Sequence, residues 1–257
     1  MLELQHIDKY YNPGTVNEMC LFKDFSLTVQ DGEFVSIVGS NGSGKTSLLN
    51  IICGSIPVDA GKIIMHGTDI TNMSEYRRHE NIGRVFQNPS AGTSPGMTIL
   101  ENMSLADNKG KSYNLGRGIN KKRIPFYKEE LAQLGLGLED KLDVKMGALS
   151  GGQRQAIALL MATMTPIEFL ILDEHTAALD PKTADIIMRL TDKVVKEKKL
   201  TTMMVTHNLR YAVEYGNRLV MMHEGHAVID AAGEAKAKLS VDDVLDEFNQ
   251  ISIECGN

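Results

Sequence analysis

The stretch Gly39-Ser40-Asn41-Gly42-Ser43-Gly44-Lys45-Thr46, continued by Ser47, decides the fold of this chain. It fits G-x-x-x-x-G-K-[ST], the pattern of a phosphate-binding loop. The apolar run 33–38 before it predicts a buried strand, and residues 47–52 after it predict the first turns of a helix. A glycine- and serine-rich linker could match by chance, but the flanking strand and helix argue against that. Because the glycines are not spaced as G-x-G-x-x-G, we predict a nucleoside triphosphate site rather than a dinucleotide fold.

The chemistry of this loop follows from its residue types. Glycines let the backbone curl so that successive N–H groups point at phosphate oxygens, and the helix N-terminus adds partial positive charge. Lys45 would reach the β- and γ-phosphates, and the Thr46 hydroxyl would be a Mg²⁺ ligand. The loop therefore predicts binding of a triphosphate together with Mg²⁺.

The composition is that of a soluble globular chain. Of its 257 residues, 42% are hydrophobic and 23% are charged, and the net charge of −6 disfavours nucleic acid as the main partner. Three widely spaced cysteines, Cys20, Cys53 and Cys255, favour free thiols in a reducing compartment. The N-terminus lacks the features of a signal peptide, and the longest apolar region, 156–172, is interrupted by Pro166 and Glu168. We expect a cytosolic chain whose membrane role would come through a partner.

Two carboxylates follow a second apolar run. Residues 169–172 predict a buried strand that ends in Asp173 and Glu174. Charges at the end of such a strand are costly unless they bind a metal or serve a reaction. With a phosphate loop upstream, Asp173 is the expected outer partner of Mg²⁺, and Glu174 could polarise a water for attack on the γ-phosphate. The alternative is a pair of acids in a helix cap.

Three further residues join this candidate site at strand ends. Gln87 ends the predicted strand 83–87, and His207 ends the predicted strand 201–207. Ligands of open α/β sheets gather at the carboxyl ends of strands, although each residue alone is more often structural. Tyr11, which precedes a turn, could stack on an adenine ring or simply close a strand.

Two helix starts carry polar caps. Ser150 is a good N-cap for a helix that opens with Gly151, Gly152 and Gln153, and this start would expose N–H groups as a second anion site. Asp180 precedes Pro181 as an N-cap with proline at the first helical position. The sequence thus predicts a second helix N-terminus able to bind phosphate but contains no second phosphate loop, and this combination requires an explanation.

The order of patterns predicts an α/β chain with an insertion. Loop chemistry begins at 88, and no strand pattern returns until 169. Between these points lie predicted helices around 99–106, 121–134 and 151–164, and in the middle one Ile124, Tyr127, Leu131 and Leu134 predict one apolar face. We therefore predict a nucleotide-binding core (1–87 and 166–230), a helical insertion (88–165) and a short amphipathic tail (231–257).

Taken in order, the phosphate loop, Gln87, Leu149-Ser150-Gly151-Gly152-Gln153, Asp173-Glu174 and His207 resemble the ATP-binding cassette of ABC transporters. The resemblance implies a P-loop NTPase (RecA-like) core with an antiparallel β subdomain and an inserted helical subdomain. It also implies that two cassettes pair head to tail, with ATP between one phosphate loop and the partner's signature. The Ser150 hydroxyl and the glycine amides would then face the γ-phosphate held by the other chain, which explains the second anion site.

The resemblance also implies roles for single residues. Tyr11 looks like the adenine-stacking aromatic, and Gln87 corresponds to the glutamine that senses Mg²⁺ and water and reports to the membrane subunit. Glu174 matches the general base, Asp180 the residue that crosses the dimer interface, and His207 the switch histidine that contacts the γ-phosphate. The chain departs from the family pattern at His175, where proline is common.

Several stretches, among them 12–17, 83–96, 159–164 and 172–180, are similar to ATPase subunits of bacterial importers that work with tryptophan/tyrosine-type substrate-binding proteins. The resemblance implies a homodimer on the inner face of the membrane, docked on permease subunits and served by an extracytoplasmic binding protein. The alternatives are a soluble ABC-type ATPase in a process such as cluster assembly, and a nucleotide-sensing adaptor without turnover. The intact Glu174 and His207 argue against the adaptor.

Overall fold

The computed structural model describes residues 1–111 and 118–254. The chain forms two compact units, the first made of residues 1–79 with the chain from Lys199 onward, and the second of Glu80–Lys198. Helix α2 (Glu75–Asn81) carries the chain from one unit to the other. The second unit is wider than the predicted insertion at 88–165, and the predicted division into core, insertion and tail stays a prediction. Cys20 and Cys53 are free thiols, while Cys255 lies outside the described residues.

The first unit contains an antiparallel sheet with strand order β2-β1-β4-β5. Its strands are β1 (Leu2–Tyr11), β2 (Met19–Val29), β4 (Ala60–Met65) and β5 (Thr68–Asp69). In β1 the buried Leu2 and Leu4 alternate with the half-buried Glu3 and Gln5. A bulge follows, where His6 has a φ of 52° and the register shifts, and it turns Ile7 to the buried face as well.

The phosphate-loop strand belongs to a second set of strands in the same unit. β3 (Phe34–Gly39) lies between β8 (Thr201–Val205) and β9 (Arg218–His223), parallel to both, and β10 (His226–Ala232) pairs antiparallel with β9. Every residue of β3 and β8 is buried, as expected for parallel strands covered on both faces. The helices of this unit are α1 (Lys45–Cys53), α7 (Leu209–Glu214), α8 (Glu234–Lys238) and α9 (Val241–Glu254).

The amphipathic tail predicted after residue 231 packs onto this unit. Val244 of α9 is fully buried in a cluster with Val38, Ala212 and Leu219, and Phe248 packs against the same cluster. The neighbouring Leu245 stays exposed. The apolar face of α9 is therefore an inner face of the first unit.

The second unit pairs two parallel strands with a helical layer. β6 (Ile82–Val85) and β7 (Phe169–Asp173) lie side by side. The helices are α3 (Ile99–Asp107), α4 (Ile124–Ala132), α5 (Gly151–Thr163) and α6 (Pro181–Lys198), with 3-10 turns at Pro89–Ala91, Lys121–Arg123 and Met146–Ala148. The predicted apolar face is buried at Tyr127 and Leu131 of α4 and at Leu134, two residues beyond its end, and Ile124 is partly buried. Within the described ranges, every helix lacks either the length or the apolar character needed to cross a bilayer.

Candidate functional site

The phosphate loop of the first unit joins the buried end of β3 to the start of α1. Gly44 occupies the N-cap position with a φ of 100°, in the left-handed region that favours glycine. A Cβ at this position would lie 2.7 Å from the Phe22 ring, so the site requires glycine on steric grounds too. Because α1 begins at Lys45, both Lys45 and Thr46 lie in its first turn. The helix N-terminus therefore opens at the loop, as the sequence predicts.

Lys45 turns its ammonium group into the loop. Its Nζ donates hydrogen bonds of 2.8 Å to the carbonyl oxygens of Gly39 and Ser40, and it lies 3.4 Å from the Ser43 hydroxyl. The residue is only 5% exposed. A nearly buried cation at a helix N-terminus is a site chemically suited to a phosphate group.

The turn between β9 and β10 holds the loop from outside. The Gly225 N–H donates to the Ser43 carbonyl oxygen over 3.3 Å, and the Ser40 hydroxyl lies 3.4 Å from Nδ1 of His223. These contacts join residues more than 180 positions apart. The form of the loop thus depends on a hairpin that the motif does not include.

Two other predicted residues lie in the first unit. The Tyr11 hydroxyl is 3.2 Å from the Ser47 hydroxyl on α1, which puts the half-buried ring beside the phosphate-loop helix. His207 is exposed just beyond β8, where the Thr206 N–H bonds to the carbonyl oxygen of Ile37 over 3.1 Å. Since β8 and β3 are parallel, His207 and the phosphate loop leave the same strand edge.

The predicted Mg²⁺ residue of the second unit is paired with an arginine. Asp173 Oδ2 lies 2.6 Å from Nη2 of Arg84 on the neighbouring strand β6. The Arg84 guanidinium also lies 4.7 Å from the centroid of the Phe86 ring. Arg84 belongs to none of the predicted motifs.

Glu174 follows Asp173 in a conformation that ends the strand. Its φ is 47°, in the left-handed region that costs a non-glycine residue roughly 1–2 kcal/mol. Its carbonyl oxygen accepts a hydrogen bond of 2.9 Å from the Ala177 N–H, which closes a turn. A strained backbone at the candidate general base is typical of functional sites.

His175, the departure from the family pattern, points into the second unit. It is 2% exposed, and its Nε2 lies 3.1 Å from the Thr191 hydroxyl on α6. Burial lowers the pKa of His175 to about 4, so the ring is neutral at physiological pH. The histidine thus anchors the residue after Glu174 to a helix.

Gln87 is exposed two residues beyond β6, next to a segment that α5 holds in place. The Gln155 side chain of α5 donates from Nε2 to the Phe86 carbonyl oxygen over 3.1 Å. Gln155 itself is 1% exposed. Because β6 and β7 are parallel, Gln87, Asp173 and Glu174 all lie at the C-terminal edge of this strand pair, Asp173 as the last residue of β7.

The start of α5 confirms the predicted N-cap. The Ser150 hydroxyl accepts from the Gln153 N–H and the Gln153 side chain accepts from the Ser150 N–H, each over 3.2 Å, which forms a capping box. Ser150 and Gly151 are exposed, whereas Gly152 is buried against Thr183 of α6.

The predicted cap of α6 is present as well. Asp180 Oδ1 accepts from the Thr183 N–H over 3.1 Å. Hydrogen bonds from the Thr183 hydroxyl and N–H lower the pKa of Asp180. Both helix caps that the sequence predicts therefore form in the second unit.

Three strand ends differ from the predictions. β6 ends at Val85, so Gln87 lies outside it, because Asn88 already caps the 3-10 turn at Pro89–Ala91. Glu174 lies outside β7 because its positive φ and the hydrogen bond from the Ala177 N–H to its carbonyl oxygen turn the chain. His207 lies outside β8, since the Thr206 hydroxyl accepts from the Asn208 N–H over 3.0 Å and turns the chain.

A family profile and two relatives all relate this chain to ATP-binding proteins of ABC transporters. The ABC transporter family profile matches residues 22–177. The tyrosine transport ATP-binding protein of Clostridioides difficile is 46% identical over 248 residues, which cover 96% of this chain and 98% of that protein. The spermidine/putrescine import ATP-binding protein PotA of Haemophilus influenzae is 33% identical over 253 residues, covering 97% of this chain but 63% of that protein.

The fold has a solved counterpart. The dimeric, post-hydrolysis structure of the ATP-binding cassette MJ0796, bound to ADP and Pi, matches with a TM-score of 0.75 and 30% identity. The match covers 90% of this chain and 98% of that one. It confirms the predicted fold class, with its parallel and antiparallel sheets and its helical part.

Proposed function

The chain belongs to the family of ABC transporter ATP-binding subunits, and from this premise we propose that it energises the import of tyrosine or a related aromatic solute. It is the ATP-hydrolysing subunit of an ABC importer. The choice of solute rests on one observation, the 46% identity over nearly the whole chain to a protein named for tyrosine transport. A cassette does not itself contact the solute, so the specificity would lie in its partners.

The phosphate loop and Lys45 would bind the phosphates of ATP. Tyr11 beside Ser47 would stack on the adenine, and His207 would contact the γ-phosphate. The buried ammonium group and the open helix N-terminus of the first unit support these roles. Each of them stays a proposal that a nucleotide-bound structure would test.

The oxygen donors present also fit Mg²⁺. Among the described residues, no group of three or more His, Cys, Asp or Glu side chains could hold a metal alone. Mg²⁺ at nucleotides uses few protein ligands together with phosphate oxygens and water. We assign Thr46, Gln87 and Asp173 to this ion, which when bound supplies charge neutralisation on the phosphates.

Hydrolysis would use the residue that follows Asp173. Glu174 would accept a proton from the attacking water. Its positive φ and the buried His175 next to it would fix its position. Two copies would pair head to tail, so that Ser150, Gly151, Gly152 and Gln153 of one copy cap the ATP of the other and Asp180 lies at their interface. The MJ0796 cassette, which is dimeric and bound to ADP and Pi, supports the pairing of two copies.

Membrane attachment would come from partners. We propose that permease subunits hold the cassette at the cytoplasmic face of the membrane and that an extracytoplasmic binding protein delivers the solute. ATP binding would close the dimer, and hydrolysis would reopen it. The alternative of an assembly ATPase has no support from the relatives reported above, which are named for transport and import.

Glu174→Gln tests the catalytic part of the proposal. The variant should still bind ATP while hydrolysis falls roughly 10²–10⁴-fold, the usual contribution of a general base. Glu129→Gln, at an exposed position on α4, is the matched control and should keep normal turnover. Near-normal hydrolysis by Glu174→Gln would reject the assignment of the base.

The solute needs a measurement in cells. A strain without this gene should lose uptake of labelled tyrosine and regain it with the wild-type chain but not with Glu174→Gln. Unlabelled phenylalanine and tryptophan as competitors would define the range of solutes. Undiminished tyrosine uptake by the deletion strain would reject the solute without affecting the ATPase assignment.

A further inference from the structure

The ion pair between Arg84 and Asp173 is not explained by the nucleotide motifs. The two side chains are 8% and 13% exposed, so water and salt screen the pair only weakly. A hydrogen bond between two charged groups, here 2.6 Å long, is among the stronger polar contacts in proteins. A strong contact at the carboxylate assigned to Mg²⁺ must affect how strongly that carboxylate can bind the ion.

Arg84 also touches the segment that leads to Gln87. Its guanidinium lies over the Phe86 ring at 4.7 Å, a cation–π contact. The carbonyl oxygen of Phe86 is in turn fixed by Gln155 of α5. One arginine therefore contacts the Asp173 carboxylate on one side and the residue before Gln87 on the other, all inside the second unit.

A divalent cation and the Arg84 guanidinium would bind the same carboxylate, that of Asp173. Two positive groups at one carboxylate repel each other, and weak screening makes this repulsion larger than it would be in water. Arginine keeps its proton at all physiological pH values, so it cannot withdraw by losing charge. The binding of one cation to Asp173 must then weaken the contact of the other.

We propose that Arg84 is a positioning residue that competes with Mg²⁺ for the Asp173 carboxylate and so sets the Mg²⁺ concentration at which nucleotide binding is complete. The inference rests on the proposed function, because it takes Asp173 as the Mg²⁺ residue. Through the Phe86 contact, displacement of the guanidinium would also loosen the segment next to Gln87. An ion pair with only a structural role would instead lower stability on removal of Arg84 and leave the Mg²⁺ dependence unchanged.

The test measures ADP binding against Mg²⁺ concentration, because ADP avoids hydrolysis. Binding of a fluorescent ADP analogue is titrated with Mg²⁺ from an EDTA-treated start, in wild type, Arg84→Met and Arg84→Lys. Arg189→Met, at an exposed position on α6, is the control. Arg84→Met should lower the half-saturating Mg²⁺ concentration roughly 10-fold, the scale of one charge-assisted hydrogen bond. Arg84→Lys, which keeps the charge, should stay closer to wild type.

The outcomes separate the two proposals. An unchanged or higher Mg²⁺ midpoint in Arg84→Met overturns the competition, as does a shift in Arg84→Lys as large as that in Arg84→Met. If Arg84→Met does not fold, Arg84→Gln, which is uncharged but can still hydrogen-bond, carries the same expectation. Failure of the wild type to bind ADP at any Mg²⁺ concentration would instead reject the proposed function.

Discussion

Gln155 donates a hydrogen bond from its side-chain amide to the carbonyl oxygen of Phe86 over 3.1 Å. Gln155 lies in α5, the helix that Ser150 caps, and Phe86 directly precedes Gln87. The helix that opens with the signature and the segment that carries Gln87 are therefore linked by one partly buried hydrogen bond. The link joins positions 69 residues apart in the sequence.

Replacement of Gln155 by leucine should destabilise the protein. It removes the donor to the partly buried Phe86 carbonyl oxygen, and a typical hydrogen bond of this kind contributes about 0.5–1.5 kcal/mol. Urea denaturation measures the change in the free energy of unfolding. Gln133→Leu, at an exposed position, is the control, and an equal effect of both substitutions would contradict the role of the hydrogen bond.

Lys45→Ala should weaken nucleotide binding. It removes the ammonium group from the loop together with its two hydrogen bonds to the carbonyl oxygens of Gly39 and Ser40. A lost charge-assisted contact of this kind corresponds to roughly 10–100-fold in the Kd for ATP, which equilibrium binding measures. Lys62→Ala, on the exposed side of β4, should bind as the wild type does. An unaffected Kd and ATPase rate in Lys45→Ala would exclude the role of this lysine.

Acidification should destabilise the protein through His175. Its folded-state pKa of about 4 lies below the ordinary value of 6.5. Between these pH values the imidazole is protonated in the unfolded chain but neutral in the folded chain. Stability is therefore unaffected by this group above pH 6.5 and falls as the pH drops toward 4, by up to about 3 kcal/mol. Denaturation of wild type and His175→Gln at pH 7, 5.5 and 4.5 measures the effect.

The comparison between the two proteins isolates the histidine from other titrating groups. His175→Gln cannot titrate at this position, so its stability should decline less than that of wild type between pH 6.5 and 4. Parallel pH profiles for both proteins would show that the buried histidine does not carry the effect.

Gly152→Ala should destabilise the start of α5. A Cβ at this position would overlap the γ-methyl group of Thr183 on α6, and overpacking of this kind costs about 1–3 kcal/mol. Thr183→Ser removes that methyl group but keeps the hydroxyl that hydrogen-bonds to Asp180. The double variant should recover much of the loss, and thermal denaturation of the four proteins gives the coupling energy. Strict additivity would contradict the contact.

Features that depend on local spacing were predictable from the sequence. The phosphate loop, the Ser150 cap and the buried face of Tyr127, Leu131 and Leu134 each arise from patterns within a few residues. The short helix α2 was missed because its sequence, Glu-Tyr-Arg-Arg-His-Glu-Asn, has no apolar periodicity. Arg78 nevertheless buries its guanidinium there and donates to the carbonyl oxygens of Ile51 and Ile52.

Contacts between residues far apart in the chain could not be predicted from the sequence. Arg84 and Asp173 are 89 positions apart, and no spacing rule in a single sequence connects them. The same holds for Gln155 with Phe86. His175 was recognised only as a departure from a pattern, because its hydrogen bond to Thr191 depends on how α6 packs. The family motifs thus indicated which residues to consider, and the packing of the second unit showed which neighbours hold them.

The hairpin between β9 and β10, which bonds to Ser40 and Ser43, has a consequence for protein engineering. The eight residues of the phosphate loop are held by hydrogen bonds with Gly225 and His223, about 180 positions further along the chain, and by packing of the Phe22 ring beside Gly44. A graft of the octapeptide alone into a foreign scaffold would lack these supports. The smallest transplantable module is therefore discontinuous, built from three separate pieces of chain.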